Sequence, residues 1–332
     1  MRVCVLTTSY PRSSGDVAGI FVADAVDRLR AAGVDVDVVS PADFRHFGIA
    51  FGDGIVQNLR ARPWLLAALP LFLLSFAGAA RRGARDADLV HAHWLPSALP
   101  ALATGRPFVL QLWGTDVELA RRVPWLARPF LRRAAAVVAG SSFLAGEGRA
   151  LGASEVRVVP SAVQIPDQPG PPEEPPHVLF AGRLSEEKGI LEFVEATRGL
   201  PRVIVGDGPL RSRAPETVGF VPPAELGPYY ERAAIVCIPS RREGYGMVAR
   251  EAMAYARPVV TTGAGGLADA VEDERTGLVV PSAGLREAIE RLLGDGELRA
   301  RLGDAAREKA LHEYAPAATT ARLVDLYREV LG

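Results

Sequence analysis

The feature that most constrains this chain is a break in its middle. Residues 165–176 read IPDQPGPPEEPP and carry six prolines. Each proline lacks an N–H and fixes its own φ, so the stretch suits neither a helix nor a central strand and reads as a stiff linker. On both sides of it, short apolar runs alternate with stretches of helical spacing. Before the break the runs are RVCVLTTS, VDVDVVS, DLVHAH, PFVLQLWG, AAVVAGS and VRVVPS. The stretch Ile20–Ala32 carries helical spacing and stops at Gly33. After the break come HVLFAG, RVIVGDG, TVGFV, IVCIPS, RPVVTTG and GLVV, with helices expected near 189–198, near 223–233 and from Gly246.

Strand, helix, strand in series implies a parallel sheet with right-handed crossovers. Two such series predict an α/β protein of two Rossmann-like domains. The boundaries read as residues 1–164, the linker 165–176, a second domain at 177–316, and a C-terminal helix at 317–332 that packs back on the first domain. The length of 332 residues suits two cores better than one. Ligands of parallel sheets bind beyond the carboxyl ends of the strands, and a cleft between two domains is the expected place for one.

The formal net charge of −1 excludes a bulk field that would draw nucleic acid, so any bound anion is held by local groups. Cys4 and Cys237 lie in two separate apolar runs, which argues against a disulfide and fits a reducing compartment. The chain opens on MRVCVLTTSYP without the apolar stretch of a secretory leader, so a cytoplasmic protein is expected. One segment, Trp64–Ala80, is apolar over 17 residues, the short limit for a membrane span. It contains Pro70 and has strand patterns of one domain on both sides, so it reads as a buried or interfacial helix.

Chemistry concentrates in PSRREGYGMVAREAMA, residues 239–254. A strand ends, Glu243 sits on the following loop, Gly244 and Gly246 flank Tyr245, and a helix begins. The free N–H groups of Gly246, Met247 and Val248 at the helix start form a seat for a phosphate or for sugar hydroxyls. Glu243 and Glu251 suit hydroxyl groups, which donate to ionised oxygens. A helix with one loop glutamate and one solvated glutamate fits the same letters. In FAGRLSEEKGI, Arg183 and Lys188 follow the strand that ends at Gly182, and two fixed cations there can neutralise a diphosphate leaving group. They also read as surface cations near Glu186 and Glu187. Gly206 and Gly208 in VGDGP form a strand-ending turn able to receive a nucleobase or ribose. In the first loop, SYPRSSGDVAGIFV, Gly19 precedes an apolar helix, and no GxGxxG fingerprint of a nicotinamide enzyme is present.

These motifs resemble those of the large retaining glycosyltransferase family four, the group 1 glycosyltransferases. The likeness covers nearly the whole chain and is strongest from Phe180 to Val280. FAGRLSEEKGI is similar to the family's Gly-Arg-Leu…Lys-Gly segment, and PSRREGYGMVAREAMA to its paired-glutamate signature. TTGAGGLADAVEDERTGLVV is similar to the segment that closes the donor site. The resemblance implies a GT-B fold and a donor that is a nucleotide-diphosphate sugar. By it Arg183 and Lys188 hold the diphosphate, Glu243 and the backbone of Gly244 to Gly246 the sugar, Glu251 the ribose, and Gly19 meets the phosphate.

Two positions depart from the family pattern. Trp113 stands in LWGTD where many relatives carry the histidine of a His-Gly-Thr/Ser-Asp loop, so Trp113, Gly114, Thr115 and Asp116 offer stacking or packing rather than proton transfer there. Pro160-Ser161-Ala162 replaces a frequent Pro-Asn-Gly. His91 and His93 in LVHAHW, at a strand end facing the cleft, read as packing and hydrogen-bonding residues on the acceptor side, with a catalytic role as the alternative. RRVPWLARPFLRR, residues 121–133, reads either as a plain amphipathic helix or as one that meets an anionic membrane or acceptor.

The reaction implied by the resemblance is hexosyl transfer to an acceptor hydroxyl with retention, with domain closure excluding water. The catalytic groups are Arg183, Lys188 and Glu243. No carboxylate pair is placed to hold a metal beside the phosphates, so neither a metal nor a cofactor is expected. The partners expected are the donor and a sugar, lipid-linked or small-molecule acceptor, with weak peripheral membrane contact and no nucleic acid. A sugar-nucleotide epimerase of the same fold and a non-catalytic sugar-nucleotide-binding module remain as rivals.

Overall fold

Most of the apolar runs become strands, and the central ones are buried on both faces because helices cover each side of a parallel sheet. The computed structural model describes residues 1–13, 16–50 and 54–332. Ser14 and Gly15 of the first loop lie outside these. The chain divides into two units, one of residues 1–159 with 319–332, the other of residues 160–318.

The first unit holds six parallel strands in the order β2-β1-β3-β4-β5-β6. They are β1 (Arg2–Leu6), β2 (Asp35–Val39), β3 (Leu89–His93), β4 (Phe108–Leu112), β5 (Ala136–Ala139) and β6 (Val156–Val158). The period of two divides their side chains between two cores. Cys4, Leu6, Val90, Ala92, Leu110 and Leu112 face one side. Val3, Val5, Leu89, Val109 and Val138 face the other, together with Tyr327 of the C-terminal helix Pro316–Leu331. Each fully buried Val, Leu or Phe is worth roughly 1.5–3 kcal/mol over leaving it exposed.

The second unit holds five parallel strands in the order β11-β10-β9-β7-β8. They are β7 (Val178–Ala181), β8 (Arg202–Val205), β9 (Ile235–Ile238), β10 (Val259–Thr261) and β11 (Gly277–Val279). TVGFV, expected as a strand, is not one. Val218 N donates to the carbonyl of Ile204 and Gly206 N to that of Gly219, so the segment follows β8 through single bonds without building a ladder. The proline-rich segment carries no helix or strand. It is strapped to the second unit by side chains that donate to its carbonyls: Arg257 to Gly170, and Arg307 to Pro166 and Asp167.

The apolar segment near residue 70 is a 3-10 turn, Pro63–Ala68, followed by the helix Leu69–Gly83. Its length and composition would suffice to cross a membrane. One face, with Phe72, Phe76, Ala79 and Ala80, belongs to the core of the first unit, where the Phe76 and Phe44 rings stack 4.2 Å apart. The other face is open, with Trp64 68% and Leu74 70% exposed.

Candidate active site

In each sheet the chain reverses direction once. In the second unit β7 is followed by β8 on one side, and β9, β10 and β11 build out on the other. Ligands of such sheets bind where the order reverses, beyond the carboxyl ends of the strands. That point lies between β7 and β9, and the residues singled out from the sequence gather there.

Glycines allow the loops to meet. Gly206 has φ 140°, and a Cβ on it would run into the carbonyl of Gly182. Gly189, at φ 73°, leads into the helix Ile190–Ala196, and a Cβ there would strike the carbonyl of Pro239 at the end of β9. The backbone N–H of Arg241 donates to the carbonyl of Glu187 at 2.9 Å, which ties the loop after β9 to the loop after β7. Lys188 and Glu243 then meet across the reversal point, with Nζ 2.7 Å from Oε2. Both are partly shielded, at 31% and 15% side-chain exposure. Arg183 is exposed and has no ion-pair partner among the described residues.

Gly246, at φ 85°, starts the helix Met247–Ala254, which leaves the first N–H groups of that helix free. Tyr245 swings its hydroxyl onto the carbonyl of Ser161 at 2.6 Å. Glu251 lies one turn inside the helix and accepts a 2.6 Å hydrogen bond from the hydroxyl of Tyr230. Burial raises its carboxyl above the usual range, opposed in part by that bond. Gly208 sits over the Leu184 backbone, where a Cβ would come 2.5 Å from the carbonyl oxygen.

The corresponding point of the first unit lies between β1 and β3. Gly19, at φ 68°, caps the helix Ile20–Ala31 and has no room for a Cβ beside the Ser9 carbonyl. Around it stand rings. Phe21 lies 4.4 Å from Trp113 and 5.7 Å from Trp94, and Trp113 stacks on His93 at 5.8 Å and 19°. Asp116 is buried and fixes the two loops that carry these rings. It accepts from the backbone N–H groups of Trp113, Gly114 and Val117 at 3.0–3.1 Å and of Leu95 at 3.2 Å. Burial raises its carboxyl, and these bonds pull it back. His91 Nδ1 lies 2.6 Å from the Tyr327 hydroxyl, while its Nε2 has no partner among the described residues. Burial pushes His91 down to about 3 and His93 well below its ordinary value, so both imidazoles are neutral at pH 7.

Three residues escaped the sequence reading. Tyr230 gave no signal, since nothing in a helical stretch pairs it with Glu251. Trp94 follows LVHAH at φ 62°, ψ 149°, a region costly for a side chain with a Cβ and visible only in three dimensions. Arg250 did leave a signal: it falls beside Ala249, Ala252 and Met253 on the helix, all buried. Among the described residues no group of three His, Cys, Asp or Glu side chains is placed to hold a metal ion.

Residues 163–309 match the family described as glycosyl transferases group 1, and residues 18–165 match glycosyltransferase family 4. The chain is 32% identical to the alpha-D-kanosaminyltransferase of Streptomyces kanamyceticus over 180 residues, 48% of this chain and 47% of that one, so the match spans about half of each. Its fold is that of sucrose-phosphate synthase from Thermosynechococcus elongatus, at a TM-score of 0.81 and 23% identity over 99% of this chain and 98% of that one. It is also that of HepE from Anabaena, solved in complex with UDP-glucose, at a TM-score of 0.70 and 18% identity over 99% and 100%. The fold class expected from the sequence, GT-B with two parallel-sheet α/β domains, is the one found.

Proposed function

This chain belongs to the group 1 glycosyltransferases, and from that premise we propose that it transfers a hexosyl group from a UDP- or GDP-linked sugar to an acceptor hydroxyl with retention. The observation that carries the reading is the Lys188–Glu243 pair at the reversal point of the second sheet, beside the free N–H groups of Gly246 to Val248. A diphosphate entering there gives Lys188 a stronger anionic partner and frees Glu243 to accept from sugar hydroxyls. HepE was solved with UDP-glucose, which makes uridine donors the first to try.

In the proposed step the bond between the anomeric carbon and the diphosphate oxygen breaks. The acceptor oxygen bonds to the same face of that carbon, and its proton passes to the departing diphosphate. Arg183, Lys188 and the helix N–H groups stabilise the growing negative charge without a metal. Glu251, steadied by Tyr230, holds the ribose. The neutral rings of Trp94 and Trp113 favour an acceptor with an apolar sugar face.

The acceptor is proposed to lie at the inner face of the cytoplasmic membrane. Trp64, Leu66, Leu71 and Leu74 are exposed on one helical segment of the first unit, and Trp125 and Leu126 on the helix Pro124–Arg133. Both segments pack on the helix Ala98–Ala103, and Arg121, Arg122, Arg132 and Arg133 stand exposed beside the second. An apolar surface rimmed by cations suits anionic lipid, at about 1 kcal/mol per basic residue near the surface.

The test is a thermal-shift screen of nucleotide sugars, since a ligand of the folded state raises Tm. Turnover of the best donor over an acceptor panel with chelator present then follows. Epimer formed from donor alone points to the epimerase, and binding without turnover on any acceptor points to a binding module. Activity lost with chelator and restored by magnesium or manganese overturns the metal-free step. Pelleting with anionic vesicles at low salt but not at high salt supports the membrane contact, and no pelleting at low salt removes it.

A further inference from the structure

The helix Met247–Ala254 buries a cation. Arg250 is 1% exposed, and no carboxylate lies within ion-pair distance of it among the described residues. Its guanidinium lies over the Tyr245 ring, 3.8 Å from the centroid, and 4.9 Å from that of Tyr314. Nη1 donates to the carbonyl oxygens of Tyr245 and Gly246, and both terminal nitrogens reach Gly266 O at 3.5 Å. Its Nε has no partner among the described residues.

Burying an ion without a counter-ion is costly, and an apolar residue of similar volume in its place is often neutral or stabilising. A guanidinium here therefore calls for a role other than stability.

Two observations indicate that role. Side chains on a helix lean toward its N-terminus. The Arg250 charge accordingly sits at Gly246, with Nη1 3.4 Å from where a Cβ of that residue would be. It adds to the partial positive charge of the helix end at the seat of the free N–H groups. The carbonyls it holds also belong to two loops, one after β9 and one after β10. These loops join where Gly266 N donates to the carbonyl of Glu243 at 3.0 Å, and Gly266 has no room for a side chain against the carbonyls of Gly244 and Tyr245.

We propose that Arg250 is a positioning residue of the donor site. It clamps the turn Glu243–Gly246 against Gly266 in the shape that receives a nucleoside diphosphate, and the diphosphate balances the charge that the protein leaves unpaired. The inference rests on the donor-site reading above and extends it to a residue behind the contact surface.

Calorimetry with UDP and with uridine tests it, or with GDP and guanosine if the donor screen selects guanine. Arg250→Met should raise the Kd for the diphosphate about tenfold or more, as expected when the seat loses both a nearby positive charge and the clamp that shapes it, and change that for the nucleoside less than twofold. Donor KM should rise with the diphosphate Kd, while kcat at saturating donor falls less than threefold. Diphosphate binding as tight as in the unaltered protein overturns the proposal, and so does equal weakening for diphosphate and nucleoside, which marks general loosening. If Arg250→Met fails to fold, Arg250→Lys carries the test: it keeps the charge and loses the fork, with about a threefold rise in the diphosphate Kd expected and no rise overturning. Lys188→Ala is the control. If it leaves diphosphate binding intact, the donor-site reading itself falls; if it weakens binding and Arg250→Met does not, only the role of Arg250 falls.

Discussion

Two parallel sheets in this chain reverse strand order in the same manner, yet they gather opposite chemistry at the reversal. Between β7 and β9 stand Arg183, Lys188 and Glu243, with Arg250 behind them. Between β1 and β3 stand Phe21, His93, Trp94 and Trp113, and burial keeps the imidazole neutral. A fold of this type supplies strand ends and helix starts, and the loop side chains decide what they bind. Charge at one end suits a diphosphate whose negative charge grows as it departs. Neutral rings at the other suit the apolar face of a sugar and contribute nothing toward an anion.

The largest effect is expected where charge develops. Arg183→Ala and Lys188→Ala should each lower turnover at saturating donor by on the order of a hundredfold, because each removes a contact that strengthens in the transition state. Near-normal kcat in both variants would break the contrast at its charged end. A smaller effect should divide the two glutamates. Glu243→Ala is expected to lower kcat as well as weaken the donor, whereas Glu251→Ala should raise donor KM about tenfold with kcat nearly intact, since the ribose is remote from the reacting bond. Unchanged turnover in both, with equal loss of affinity, contradicts that division.

At the neutral end the expected effects are weaker. Trp94→Ala and Trp113→Ala should raise acceptor KM about threefold to tenfold, the range of aromatic contacts worth roughly 0.5–1.5 kcal/mol, and leave donor KM alone. A donor effect larger than the acceptor effect would erase the distinction between the two regions.

The last prediction concerns pH and stability rather than turnover. His91 has an ordinary value of 6.5 and is pushed down to about 3 by burial, facing His93 and the Tyr327 hydroxyl. Between those values the unfolded chain binds the proton that the folded one refuses, so stability is full above about 6.5 and declines as pH falls toward 3. In His91→Asn the decline of Tm over this window should be shallower than in the unaltered protein. Parallel slopes would mean that the imidazole is reached by solvent and protonated in the folded state.

The second unit was far more legible in the sequence than the first. Gly182, Arg183 and Lys188 lie within seven residues of one another, and Glu243 to Glu251 within nine, because each set occupies one loop or one helix start. The ring group of the first unit draws on residues 21, 93, 94 and 113 and becomes a group only when β1, β3 and β4 align. Trp113 read as a departure from a pattern, and its contact with His93 was invisible. TVGFV shows the limit for strands: its alternation is strand-like and it follows the free edge of β8, but only Val218 N to Ile204 O and Gly206 N to Gly219 O join the two, too few bonds for a ladder.

Local physics therefore settled, from the sequence alone, most of the strands and the place, at the prolines, where two series of them part. The order β11-β10-β9-β7-β8 was not written locally, and it alone sets Lys188 against Glu243, 55 positions away. Tertiary packing also decided that Arg250 turns inward with no carboxylate beside it among the described residues and that Glu251, half-buried, accepts from Tyr230. The physical reason is range: propensity and periodicity act over a few residues, whereas the partner of a buried charge is chosen by whichever loops the sheet brings to the same end.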